Sequence, residues 1–252
     1  MSAPAAAPAA NPTIVERIIP GFAALSEQGH WDACAVVAEL DAIHACKWAT
    51  IDAWGDPTAL SGLIKSYRND YIAASRWTVG HGTTLGNIQW HLATHKGWAP
   101  RLAGYIPTVN SPNLTALHDF VKRNTYQGNP VILFISRAYQ LTKNEAGVYG
   151  HFVTLGGIDS TRGYWTGNGD TLDGLRSAAG AIIPCQWNTW AQLVAAGING
   201  AIALDASYAS PAPPTPPAPP VVTPPPSDSS PDLHTLAAEA LSALQKLTAA
   251  LP

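Results

Sequence analysis

Apolar residues recur along the chain with a spacing that changes character near residue 130. Before it, the spacing is helical. Over 33–48, Val36, Leu40 and Ile43 share one face, and Asp32 stands at the N-cap position. Residues 58–74 and 84–95 also read as helices, the latter opened by Thr83 or Thr84, and 115–124 (TALHDFVKRN) reads as another. After it, strands take over. PVILFIS (130–136) is a run of the buried-strand type, HFVTLGGID (151–159) alternates, and RGYWTGN (162–168) follows after a short turn. A helix over about 188–196 and a closing strand, GAIALDA (200–206), complete the pattern. Helices first and strands later predict an α+β fold, with helices packed on a small antiparallel sheet.

The two ends of the chain differ from this body. Residues 1–12 form an Ala/Pro tail. Residues 207–231 hold half of the chain's 22 prolines. A backbone so poor in N–H donors cannot join a helix or sheet, so an extended spacer is expected. In residues 232–252, Leu233, Ala237, Ala240, Leu244, Leu247 and Leu251 recur at alternating steps of four and three. That spacing predicts a short amphipathic helix, too short and Ala-rich to stand alone, which would self-associate or dock on a protein partner. The folded domain is therefore expected over 13–206.

Composition narrows the function classes. The chain has 252 residues, 46% of them hydrophobic and only 12% charged, which favours a sizeable core over disorder. A net charge of −3 without a dense Lys/Arg run argues against a nucleic-acid partner. No window reaches the length of uninterrupted apolar sequence that a membrane span needs. The N-terminus lacks a basic segment followed by an apolar one, so synthesis in the cytoplasm without a signal peptide is expected, with the site of action left open. The three cysteines, Cys34, Cys46 and Cys185, match no zinc spacing, and their odd number leaves at least one thiol free or paired to another chain.

Cys34 is the first candidate for chemistry. A thiol at the start of a helix meets the partial positive charge of the helix N-terminus, which favours thiolate over thiol. A thiolate nucleophile also needs an acid for its leaving group, normally a histidine. Of the eight histidines, His151 stands out because it opens a strand directly after Gly150. Asn168 lies at the end of the next strand, with Asp170 just beyond. If the two strands pair as a hairpin, Asn168 or Asp170 comes beside the far nitrogen of His151 and fixes its tautomer. The plainer readings are a buried structural thiol, a surface histidine and an ordinary Asn-Gly-Asp turn.

The order of these residues, with Gln28 six positions before Cys34, resembles the papain-like cysteine peptidase superfamily, and within it the double-glycine (bacteriocin-processing) peptidase-like branch. GHFVTLGGID (150–159) is similar to that branch's histidine strand. HGTTLGNIQWHLATHKGW (81–98), GNPVILFIS (128–136) and WNTWAQLVAAGINGAIAL (187–204) are looser matches. The resemblance covers about residues 20–206. It implies a papain-like fold, with Cys34 as nucleophile and His151 as general base and acid. Gln28 would be an oxyanion donor together with the Cys34 N–H, and Asn168 or Asp170 would orient the histidine. It implies cleavage of peptide amide bonds through a thioester with no cofactor, peptidoglycan peptides being one substrate class, as for bacterial and phage lysins. The family usually follows its cysteine with Gly-Pro or Gly-Ser, whereas here Ala35 and Val36 follow. A catalytically inactive binding module of the same fold, or an assembly or virion protein tethered through its C-terminal helix, are the alternatives.

Two further motifs mimic metal sites. His91 and His95 in HLATH have the i, i+4 spacing of zincin ligands, but Leu92 replaces the glutamate of that motif, so solvent-facing or core-edge histidines are expected and no metal. GNGDTLDG (167–174) looks like a single calcium-binding repeat, but such repeats work in stacks and no second copy is found, so a turn is expected.

Overall fold

In the computed structural model of the chain, the described residues are 16–26, 32–48, 51, 54–79, 81–137, 150–168 and 179–207. All lie in the first of the two units into which the chain divides, Met1–Ser210. The Ala/Pro tail, nearly all of the Pro-rich spacer, the C-terminal helix, Gln28, Asp170 and most of the GNGDTLDG motif lie outside the described residues.

The chain enters through two short strands, β1 (Arg17–Ile18) and β2 (Ala24–Leu25), before helix α1 (Cys34–Cys46). Helices α2 (Pro57–Ala73) and α3 (Leu85–Trp90) follow, and α3 runs on into one π turn, His91–His95. Strand β3 (Leu102–Ile106), helix α4 (Leu114–Gln127) and strands β4 (Val131–Ile135), β5 (His151–Asp159) and β6 (Gly163–Gly167) come next. Two short strands, β7 (Ile182–Ile183) and β8 (Gln186–Asn188), helix α5 (Trp190–Ala195) and strand β9 (Ile198–Leu204) end the domain. The main sheet has the order β3-β9-β4-β5-β6-β8, and β1 pairs with the far half of β5; β2 and β7 form a separate pair. Every pairing of these strands is antiparallel, so the α+β class and the antiparallel sheet are as the sequence pattern predicts.

Helices cover both faces of this sheet rather than one. Strand β4 shows why. Val131, Leu133 and Ile135 pack with Leu117, Phe120 and Val121 of α4 and Leu193 of α5, whereas Ile132 packs with Ala35, Ala38 and Ala42 of α1. A strand with both faces covered has no solvent side, hence the unbroken apolar run of VILFI. Truncating Leu133, fully buried at its centre, to alanine should cost about 2–5 kcal/mol.

Helix α1 is the buried centre. Of its residues all but Cys34 and His44 are buried. Three small residues, Ala35, Ala38 and Ala42, form the face toward the sheet and let the helix approach closely. The other side, with Val36, Val37 and Leu40, packs on Leu60 and Ile64 of α2. The Thr154 hydroxyl of β5 donates to the Ala38 carbonyl at 2.9 Å and joins helix to strand. Gly156, further along β5, lies directly under the Phe22 ring, where any Cβ would collide with it.

Asp32 does not cap α1. The cap position is Ala33, which has no side chain able to do so. The Asp32 carboxylate instead accepts from Arg68 at 2.9 Å and from the Trp77 indole at 3.1 Å, tying the entry of α1 to α2. A fixed guanidinium and an indole offer two donors from outside the helix, and they win over the local cap. The other helix starts follow the sequence more closely. Asp56 accepts from Thr58 and Ala59, Thr84 from Asn87, Asn113 from Ala116, and Thr189 forms a capping box with Gln192.

Candidate active site

Cys34 is the first residue of α1 and is half-buried. No acidic residue lies in the first turn, and the helix N-terminus presents its partial positive charge to the sulfur. Cys34 packs against the cluster that holds Ala35, Ala38, Ile132 and Phe152. Phe152 is the neighbour of His151, so α1 starts against the strand that His151 opens.

His151 and Asn168 are brought together by the β5–β6 hairpin. The register sets Thr154 opposite Gly167, so Asn168 continues beside the start of β5. His151 Nε2 lies 2.6 Å from Asn168 Oδ1. His151 is fully buried and Asn168 nearly so. Since the amide oxygen can only accept, Nε2 carries a hydrogen, and in the neutral ring Nδ1 holds the lone pair. That is the tautomer a base at Nδ1 requires. Asn168, one of the two partners the sequence pattern allows, makes this contact, and Asp170 lies outside the described residues.

Ala35 and Val36, the two positions where the chain departs from the family pattern, are fully buried. Ala35 packs toward the sheet and Val36 toward α2. The other two thiols sit in less reactive settings. Burial, then the charge of Asp205, pushes the Cys46 thiol far above its usual range. Burial, then the charge of Asp41, pushes the Cys185 thiol up to about 12. None of the three is in a disulfide.

A second polar cluster lies where α1, α2 and the π turn meet. Glu39 is fully buried inside α1. It accepts from the Tyr71 hydroxyl at 2.8 Å, and its other oxygen lies 2.6 Å from His91 Nδ1. His91 is also fully buried, and its Nε2 lies 3.3 Å from Asp70 Oδ2. His95 Nε2 lies 3.4 Å from the same oxygen, and Lys96 Nζ 2.9 Å. Burial works to raise the Asp70 carboxyl, but hydrogen bonds from Lys96 and His91 and the nearby charges of Lys96 and His95 outweigh it, holding the group below its ordinary value. Burial and the Glu39 carboxylate together push the Tyr71 phenol well above its ordinary range. The core-edge expectation for the HLATH histidines thus misses the burial of His91 and its two acidic partners. The available signal was a pair of acids, Glu39 and Asp41, inside an otherwise apolar helix, since a buried carboxylate needs partners. The π turn has no signature in the sequence.

Among the described residues, no helix is long and apolar enough to cross a membrane. No protein-family model matches the chain, and no curated protein matches it.

Proposed function

We propose that the domain is a papain-like cysteine hydrolase that cleaves peptide amide bonds with Cys34 as nucleophile, His151 as base and acid, and Asn168 as the residue that positions His151. The observation that carries this reading is the buried 2.6 Å contact between His151 Nε2 and Asn168 Oδ1, on the strand against which the Cys34 helix begins. In this reaction His151 Nδ1 takes the thiol proton as the Cys34 sulfur attacks the substrate carbonyl carbon. The carbonyl oxygen becomes an oxyanion, stabilised by backbone N–H groups at the start of α1 and, by resemblance, by the Gln28 amide. The tetrahedral species then collapses, the C–N bond breaks, and the amine leaves with the proton from His151. Water, activated by the same nitrogen, hydrolyses the thioester and restores the thiol.

The burial of Ala35 and Val36 supports an active enzyme over an inactive binding module, because side chains packed in the core do not obstruct the sulfur. Peptidoglycan stem peptides are the proposed substrate class, and a catalytic head on a Pro-rich spacer suits a cell-wall or virion enzyme. The test is release of new amino groups from purified peptidoglycan and from its soluble stem peptides by the full chain, beside Cys34→Ala and His151→Ala variants. Cleavage that disappears with Cys34→Ala and falls by about 10²–10⁴-fold with His151→Ala supports the reading. Binding without cleavage by the unaltered chain would favour the inactive module.

A further inference from the structure

The cluster around Asp70 has the geometry of a metal centre. We propose that Asp70 Oδ2, His91 Nε2 and His95 Nε2 bind a divalent first-row transition metal, zinc above all. The three atoms lie within 4.8 Å of one another. Both histidine nitrogens face the same carboxylate oxygen, at 3.3 and 3.4 Å. Ligands about 2.0–2.1 Å from a tetrahedral zinc are separated by about 1.63 times that length, or about 3.3–3.4 Å. The two separations to Asp70 therefore match two edges of a zinc tetrahedron.

The partner of His91 Nδ1 favours the ligating tautomer of that ring. Glu39 lies 2.6 Å from His91 Nδ1, so that nitrogen donates to the carboxylate, and in the neutral ring Nε2 offers its lone pair to a metal. His91 Nε2 and the Asp70 oxygen, 3.3 Å apart, are bridged either by a proton on His91 or by a metal ion that displaces that proton. The carboxylate–histidine–metal relay is the usual outer support of a zinc-bound imidazole, and Tyr71 in turn holds Glu39 at 2.8 Å. The π turn sets the second ligand. Its wide hydrogen bond, Lys96 N–H to the His91 carbonyl at 2.8 Å, accompanies parallel stacking of the His91 and His95 rings, 5.0 Å apart and 15° from coplanar. Such turns inside helices concentrate at functional sites.

Three protein ligands leave a fourth position, on the side where His95 and Asp70 are partly exposed. The cation now against Asp70 is Lys96, whose ammonium also sits over the Tyr67 ring at 4.4 Å. Its long stem lets it withdraw to solvent, so it competes with the metal for one oxygen rather than sealing the site.

The test is equilibrium dialysis of the untagged full chain against Zn²⁺ after chelator treatment, with Co²⁺ as a spectroscopic probe. The expected result is one bound zinc and the visible absorption of tetrahedral Co²⁺. His95→Ala and Asp70→Asn should weaken binding by more than the about 10–100-fold that loss of an outer partner costs, and Glu39→Gln by about that amount. Lys96→Gln should tighten it, and Cys34→Ala should leave it unchanged. Because His95 is at the surface, its variant should keep the helical circular dichroism of the parent. Absence of binding by both the parent and Lys96→Gln would mean that protons alone bridge the cluster, and would overturn the proposal. So would zinc bound equally well by His95→Ala, or lost with Cys34→Ala.

Discussion

Replacing Asn168 by alanine separates positioning from packing. The variant removes the acceptor at 2.6 Å from His151 Nε2 and leaves a buried N–H without it. Stranding a buried polar group costs about 1–3 kcal/mol. For a domain of this size each kcal/mol lowers the melting temperature by about 2–4 °C, so a fall of about 2–12 °C is expected. If the same interaction also holds the base at Nδ1, its loss reaches the sulfur. A deficit of 1–3 kcal/mol felt by the reacting thiolate corresponds to about a 5- to 150-fold slower reaction. The assay is the rate of carboxamidomethylation of Cys34 by iodoacetamide near neutral pH, followed by mass spectrometry, beside a thermal melt. Asn168→Asp keeps an acceptor and should restore most of the rate. A melting temperature that falls while the Cys34 rate stays at the parent value would refute the positioning role and leave Asn168 as a packing residue.

Other consequences follow from single contacts. Asp41 is fully buried, one oxygen accepting from the Leu25 N–H at 3.0 Å, and burial raises its carboxyl well above the ordinary value. The folded state therefore keeps a proton that the unfolded chain releases, so Asp41's contribution is fully present below about pH 4 and is lost as pH rises through the folded value. Asp41→Asn should thus gain urea resistance relative to the parent as pH increases; parallel profiles would count against a neutral Asp41. Thr154→Val removes the hydroxyl that joins β5 to the Ala38 carbonyl and should cost about 0.5–1.5 kcal/mol in urea titration, with no change in slope. Gly156→Ala drives a methyl into the Phe22 ring and should destabilise by about 1–3 kcal/mol, measured in the same way; an unchanged midpoint would mean that the entry segment lifts off freely.

The long, periodic elements were legible in the sequence because their patterns are strong. HFVTLGGID forms β5 at His151–Asp159 as expected, though it is buried on both faces rather than alternating, and α1, α2 and α4 fall within a few residues of the predicted spans. Strands β1, β2 and β7 have two residues each, too few to show a period, and they exist because partners elsewhere in the chain offer an edge. LAGYI, β3, was missed for another reason: its glycine and half-buried positions blur the alternation. At the site, the pairing of His151 with Asn168 follows from hairpin geometry, which sequence order can express. The Glu39–His91–Asp70 cluster joins three helical segments far apart in the chain, and nothing local to HLATH announces its acidic partners. The same physics misplaced Asp32, whose partners Arg68 and Trp77 come from outside its helix.

The most direct test of a Cys34 nucleophile is the iodoacetamide rate of all three thiols in the native chain, measured with and without His151→Ala. Buried thiols held at high pKa, Cys46 and Cys185, should react only as the chain opens. Cys34 should react far faster than either, and should lose most of that advantage when His151 is removed. Equal and slow labelling of all three, or a Cys34 rate indifferent to His151, would contradict the account.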